Sequence, residues 1–356
     1  MLTITEQVNE EDPLFVMYTS GTTGTPKGAM LSHIGVIHSL INFNRVLGTN
    51  QDTRTLIAVP LFHVTGLIGQ FLHMVSIGGT SVLISRYQTE PAIKVMVKEK
   101  TTFLFNVPTI YIMLMSHPLF ENHDFSFVRT IASGGSSLSF NTISKLRKLF
   151  PNAKIHNAYG ATETSSPTTI MPMVYDNSKI GSVGLPVPVA DLKIVNDSME
   201  ECGVNEVGEL LIKGPMVVEG YWNNEEANKS AFIDGYWLSG DMAKIDEDGF
   251  VYIMDRKKDM INRGGEKIFS IEVENALYNH PAVLEVAVVG IPDDMYGEQI
   301  KAFIVKKEGE DTTESEIQTF LQSKLANYKI PKVIAFVDEL PKNSGGKILK
   351  KELSKI

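Results

Sequence analysis

Residues 18–28 read YTSGTTGTPKG, with hydroxyl side chains at Thr19, Ser20, Thr22, Thr23 and Thr25, glycines at 21, 24 and 28, and one lysine between two apolar segments. The run LFVMY (14–18) leads into the stretch, and Ser32 is placed to cap the helix that follows. Strand, glycine loop, helix is an order that gathers backbone N–H groups around a phosphate. The hydroxyls add donors, and Lys27 adds a mobile positive charge. The spacing is not G-x-x-x-x-G-K-[ST], because Lys27 follows Gly24 by three residues and Gly28 comes next. A Walker-type nucleotide hydrolase is therefore disfavoured. Taken alone, the same composition also describes a turn-rich surface loop.

Outward from the loop, strand-like runs at 14–18, 55–59, 80–84, 102–106, 129–133 and 153–159 alternate with helical spacing at 32–47, 89–99, 108–116 and 139–149. That alternation predicts βαβ units and parallel sheet. From about residue 180 the texture changes to DLKIVN, GELLIKG and FVYIMD, separated by Gly, Pro and Asp-Gly turns, which reads as antiparallel sheet or a small barrel. A further shift comes at DRKKDM (255–260). Residues 256–356 hold 16 basic and 16 acidic residues, so the formal charge of −9 falls on the part before them. Within the tail, IEVENALYNH and ESEIQTFLQSKLA have helical spacing, while LEVAVVG, KAFIVKK and KVIAFVD are strand-like. The expected fold is α/β: a large domain over 1–254 with parallel-rich sheets and helices, including a small antiparallel β-barrel-like subdomain over 180–254, then a smaller α+β C-terminal domain over 255–356.

The chain's 356 residues exceed what one core usually organises. A charge of −9 argues against a nucleic-acid partner, which needs a basic footprint. Cys202 is the only cysteine, so there is no disulfide framework and no cysteine metal site, and a cytoplasmic location is expected. The opening MLTITEQVNEEDP has no basic segment followed by an apolar run, so no signal peptide is expected. Between Arg54 and Arg86 lie 31 residues without Lys, Arg, Asp or Glu, long enough to span a bilayer. Prolines, glycines and histidines interrupt them, and they read instead as two buried strands around a short helix.

Behind the loop come PLFHVTG (60–66), SGGSSL (133–138), NAYGATET (157–164), GELLIKGPMVVEGYWNN (208–224), GYWLSGD (235–241), DRKKDMINRGGEKI (255–268) and NSGGKILKKEL (343–353). In this order they resemble the adenylate-forming, AMP-binding superfamily of acyl-CoA and aryl-CoA ligases, luciferases and peptide-synthetase adenylation domains. The resemblance covers nearly the whole chain and points to the acyl-CoA synthetase branch. It implies an ATP-dependent acid–thiol ligase: a carboxylic acid is activated as acyl-AMP with release of pyrophosphate, then passed to coenzyme A.

The resemblance also implies roles. Thr19, Ser20, Gly21, Thr22, Thr23, Gly24 and Lys27 would hold the phosphates of ATP. Glu163 would bind Mg²⁺, as a hard cation wants carboxylate oxygen, and Thr162 would contact the α-phosphate. Tyr159, with Gly160, would stack on adenine against Gly134 and Gly135. Asp241 would accept both ribose hydroxyls, since an ionised carboxylate has acceptors for two donors, and Arg256 would reach the ribose or phosphates. Lys347 would bridge the carboxylate and the α-phosphate. Lys258 would be the hinge of a mobile C-terminal domain that rotates between the two steps. Gly264 and Gly265 would line the thiol tunnel, with Arg263 and Lys267 as candidates for the 3′-phosphate of coenzyme A. His63 would lie by the carboxylate end of the acyl pocket. It stands where amino-acid-activating relatives carry aspartate, so a free amino acid is disfavoured.

Fatty, aryl and succinylbenzoate-type acids all remain open, with a medium or long aliphatic acid favoured. A carrier-protein thiol is the alternative acceptor. Only 17 residues precede the loop, where the family carries a long region. A second alternative is therefore a truncated, weakly active or non-catalytic nucleotide-binding fragment, with association into a homo-oligomer or with an N-terminal fragment partner. Smaller departures are Ser270, where many relatives have proline, and Gly345-Gly346, where Ser/Thr-Gly is more usual.

Overall fold

The computed structural model describes residues 7–19, 26–135, 138, 140–343 and 348–356. Among the predicted site residues, Ser20, Gly21, Thr22, Thr23, Gly24 and Lys347 lie outside the described residues. The chain divides into two compact units: Met1–Glu206, Leu210–Ser239 and Ile245–Tyr252 in the first, and Val207–Glu209, Gly240–Lys244 and Ile253–Ile356 in the second.

The first unit opens on a hairpin, not on a strand feeding a helix. Strands β1 (Pro13–Thr19) and β2 (Lys27–Ser32) pair antiparallel, with Tyr18 opposite Gly28 and Thr19 opposite Lys27. The helix begins only at His33, capped as expected by Ser32, whose hydroxyl accepts from the Gly35 N–H at 3.2 Å. The expected order fails because KGAMLS alternates: Ala29 and Leu31 are fully buried, so the segment forms a strand. No helix N-terminus directly follows the loop. Glycine is required at 28, where a Cβ would stand 2.8 Å from a Val16 methyl.

The main sheet of this unit contains β3 (Arg54–Ile57), β4 (Thr80–Leu83), β5 (Phe103–Asn106), β6 (Thr130–Ser133), β7 (Lys154–Tyr159), β8 (Thr169–Ile170) and β9 (Leu185–Pro186), in the order β4-β3-β5-β6-β7-β8-β9. Pairing is parallel from β4 to β7 and antiparallel for β8 and β9. Both faces are covered, so β5 reads FLFN with all four residues buried. On one face pack the helices Thr89–Glu99, Pro108–Ser116 and Phe140–Leu149. The first presents Ala92, Ile93 and Met96 to a core with Leu104, Tyr111, Ile131 and Phe150. On the other face Phe43, Met74, Phe103 and Phe105 cluster. Residues 55–85 form β3, helical turns over 64–77 and β4, and among the described residues no helix is long and apolar enough to cross a membrane.

That second core holds a buried histidine. His73 is fully buried, with Nε2 2.8 Å from the Thr49 hydroxyl and Nδ1 3.3 Å from the Gly69 carbonyl. Burial lowers its pKa to about 4, against the pull of the Gly69 carbonyl, and burial also lowers those of His63 and His156. The unfolded chain takes up the proton near pH 6.5 and the folded one does not, so stability is lost as pH falls from 6.5 toward 4. His73 alone contributes up to about 3 kcal/mol of that loss. Trp222 and Trp237, the two tryptophans, both lie in the first unit. Urea unfolding followed by their fluorescence should show this slope, and His73→Gln should flatten it. Parallel pH curves for variant and wild type would reject the assignment.

Strands β10 (Asp191–Val195), β11 (Gly208–Lys213), β12 (Phe232–Ile233), β13 (Tyr236–Ile245) and β14 (Val251–Arg256) form a five-stranded sheet in the order β10-β11-β13-β12, with β14 on β13. The second unit is α+β. Its sheet, β16-β15-β18-β17 with β19 on β18, joins β15 (Ile261–Arg263), β16 (Glu266–Ile268), β17 (Val283–Asp293), β18 (Gly297–Lys306) and β19 (Val333–Phe336). The period of two in β17 sends Val286 and Val288 under the helices Ser270–Leu277 and Glu314–Gln322, and Ala287 and Val289 toward Leu340 and Leu353. Thr313 and Glu316 start the second helix with a reciprocal capping box.

Candidate active site

Three of the predicted segments meet the C-terminal edge of the parallel strands. PLFHVTG follows β3, Gly134 and Gly135 follow β6, and Tyr159 closes β7 ahead of Gly160. In open α/β sheets that edge is where ligands bind, above all where strand order reverses, here between β3 and β5. The glycines sit in tight quarters. A Cβ on Gly134 would lie 3.2 Å from the Phe105 ring and 3.4 Å from the Ala158 carbonyl, so its backbone abuts the residue before Tyr159. Gly135 adopts φ 82°. Gly160 lies against Ser166 and Pro167. His63 precedes the helical turn Val64–Gly66, its ring 4.7 Å from that of Phe62, and its Nε2 is buried with no hydrogen-bond partner among the described residues. Burial keeps this imidazole neutral at physiological pH.

After β7 the chain makes a tight turn, Thr162–Thr164, followed by Ser165 and Ser166 at φ 48° and 35°. Two successive non-glycine residues in the left-handed region store strain of about 1–3 kcal/mol each, a cost that clusters at functional sites. The turn carries Glu163, which is buried, and its carbonyl accepts from the Val218 N–H at 2.8 Å. The Glu163 Oε1 accepts a hydrogen bond from the Tyr221 hydroxyl at 2.9 Å, and the Lys27 ammonium lies 5.0 Å from the centre of the Tyr221 ring. Lys27 and Glu163 thus face one phenol from its ring and its hydroxyl. Burial, with the charge of Glu163 behind it, raises the pKa of that phenol, so it stays a donor. Thr19 stands opposite Lys27 in the hairpin. Sequence reasoning alone gives Tyr221 no role, although it lies within one of the family-like segments.

The second unit brings together a different set. Asp241, buried in β13, has Oδ1 3.1 Å from Nε of Arg256 at the end of β14. Lys258 is exposed in the turn Arg256–Met260 that follows. Gly264 and Gly265, at φ 62° and 92°, form the two-residue connection of the β15–β16 hairpin, as primed turns require. The Arg263 guanidinium stacks 4.1 Å from the centre of the Tyr296 ring, and its Nε donates to Gln299 at 2.9 Å. In the same unit Asp255, Ser270, Glu274 and Lys350 form a largely buried charged network that sequence reasoning does not find.

Among the described residues no three His, Cys, Asp or Glu side chains cluster to cage a metal. Glu163 suits Mg²⁺ all the same, because that ion takes one or two carboxylates and fills its shell with water and substrate phosphates.

Two family profiles match the chain: AMP-binding enzyme over residues 2–222 and AMP-binding enzyme C-terminal domain over 272–347. The protein belongs to the AMP-binding enzyme family. It is 38% identical over 359 residues to the long-chain-fatty-acid–CoA ligase of Bacillus subtilis strain 168, covering 99% of this chain and 63% of that protein. To the feruloyl-CoA synthase of an Amycolatopsis species it is 38% identical over 346 residues, covering 97% and 70%. Among solved structures, the o-succinylbenzoate coenzyme A synthetase of Bacillus subtilis in complex with ATP and magnesium ion superimposes with a TM-score of 0.86 at 33% identity, covering 97% of this chain and 70% of that one. The chain spans 63–70% of the length of these relatives.

Proposed function

We propose that this chain is an AMP-forming acid–thiol ligase that joins a fatty or aryl carboxylic acid to coenzyme A at the expense of ATP. The observation that carries the reading is the cluster of Lys27, Tyr221 and Glu163, in a unit that sets Tyr159 and its facing glycines at the C-terminal edge of a parallel sheet. Relatives named for long-chain fatty and ferulic acids support both acid classes.

In the first step a carboxylate oxygen attacks the α-phosphorus of ATP, the α–β phosphoanhydride bond breaks, and pyrophosphate leaves. Two anions must approach, so the task of the protein is to supply positive charge and donors. Lys27 supplies charge at the phosphates, and Glu163 is the ligand for Mg²⁺. When bound, that ion shields the phosphate charge. Tyr159 stacks on adenine beside Gly134, Gly135 and Gly160, Thr162 contacts the α-phosphate, and Asp241 holds the ribose with Arg256 alongside. Uncharged His63 lies by the acid without pairing with its carboxylate. Lys347 bridges acid and phosphate. In the second step the thiol sulfur attacks the acyl carbon and AMP leaves. We assign residues 255–356 as the domain that moves between the steps about Lys258, with Gly264 and Gly265 lining the thiol path.

The test is pyrophosphate release with ATP and Mg²⁺ over acids from acetate through fatty to aryl, with and without coenzyme A, the products read by mass spectrometry. An acyl-CoA from one acid class is the expected result. Adenylate without thioester would favour a carrier-protein thiol, and ATP binding with no pyrophosphate from any acid would favour the non-catalytic reading.

A further inference from the structure

We propose that Tyr221 is a positioning residue: its hydroxyl orients the Glu163 carboxylate toward a divalent cation, and its ring face holds the Lys27 ammonium beside that carboxylate. A tyrosine that merely filled this core, against Phe232 with ring centres 5.8 Å apart, would need no hydroxyl. This hydroxyl is buried and donates to a carboxylate 58 residues away. Lys27 lies within the roughly 6 Å at which a cation is drawn to an aromatic face.

The backbone at Tyr221 is fixed from both sides. Residues 220–222 run beside β2, with Met30 N–H donating to the Gly220 carbonyl at 3.1 Å and Trp222 N–H to the Gly28 carbonyl at 2.7 Å. From the other side the Asn228 amide accepts from the Tyr221 N–H at 2.7 Å and donates to its carbonyl at 3.2 Å. Gly220 permits that approach, since a Cβ there would meet the same amide at 2.9 Å. Val218 ties the segment to the turn carrying Glu163. One short segment thereby registers the strand that begins at Lys27 against the turn that carries Glu163. A ligating carboxylate held by an outer hydrogen bond loses about 10–100-fold in metal affinity when that bond is removed.

The inference rests on Glu163 as the cation ligand, and the experiment separates the two. Binding of Mn²⁺, visible by electron paramagnetic resonance, is measured on the full chain with an ATP analogue whose α–β bridge is a methylene. Tyr221→Phe keeps the ring and should weaken Mn²⁺ about tenfold, leaving binding of the analogue in EDTA unchanged. Glu163→Gln should weaken Mn²⁺ at least as much, and Tyr221→Phe added to it should cost nothing more. Tyr221→Leu, which also removes the ring, should weaken the metal-free analogue as well. Wild-type Mn²⁺ binding in Tyr221→Phe beside a weakened Glu163→Gln overturns the role of the hydroxyl and leaves Glu163 as the ligand. Unchanged binding in Glu163→Gln overturns both. Equal metal-free affinity in Tyr221→Leu and Tyr221→Phe overturns the role of the ring.

Discussion

Lys350→Met should destabilise the second unit by about 3–5 kcal/mol, the cost of leaving buried charge without its partner. The Lys350 ammonium lies 2.6 Å from Glu274 Oε1 and donates to the Ser270 hydroxyl at 2.6 Å. Glu274 Oε1 also accepts from the Val288 N–H at 2.8 Å, and the Ser270 N–H donates to Asp255. Burial raises the pKa of both Asp255 and Glu274, opposed by Lys350. Burial lowers that of Lys350, but Glu274 and Asp255 outweigh it and the net direction is up. The lysine therefore stays charged and neutralises one of two carboxylates. Without it both are stranded, and a carboxyl whose folded pKa lies above its unfolded one loses stability as pH rises. The deficit of Lys350→Met should thus be smaller near pH 5 than near pH 8, and Glu274→Gln in the same chain should recover part of it. Hydrogen exchange in residues 270–277 and 283–293 reads the effect. A deficit independent of pH would reject the charge account and leave only lost packing.

How much of the fold and the site is legible in the sequence differs between periodicity and pairing. The crossover helix over 89–99 and the strand over 80–84 are readable because a buried helix face and a covered strand each impose a period on neighbouring residues. The turn of Gly264 and Gly265 obeys the same local logic. What local pattern lacks is the partner of a side chain far along the chain. Nothing around Tyr221 announces Glu163, and nothing around Lys350 announces Glu274, because each contact is created by topology. Ser270 shows the limit from the other side. In the sequence it is only a departure from the proline of many relatives, whereas in the fold it gives Asp255 a backbone N–H that proline lacks and Lys350 a hydroxyl. The hairpin of β1 and β2 escapes the sequence reading because the capping serine suggests the end of a loop, although the residues before it alternate like a strand.

Just N-terminal to Lys350 in the sequence lies Lys347. Lys347→Ala should slow adenylate formation by about 10²–10³, roughly 2.7–4 kcal/mol of barrier, which is the cost of losing one preorganised donor at developing charge. Both ends of its segment are anchored in the second unit. Lys342 bridges Ile348, its ammonium lies 2.6 Å from Glu285, and the Leu349 N–H donates to the Pro341 carbonyl at 2.8 Å. If Lys347 acts only where carboxylate and α-phosphate meet, its loss must spare two other quantities: the affinity for ATP, and the rate of thioester formation from adenylate supplied ready-made. Lys350→Met, which leaves Lys347 in place but loosens the anchor on its C-terminal side, should slow adenylation by less and in proportion to its instability. An unchanged adenylation rate in Lys347→Ala would remove this lysine from the first step, and equal losses in both half reactions would mean that it supports the domain and not the chemistry.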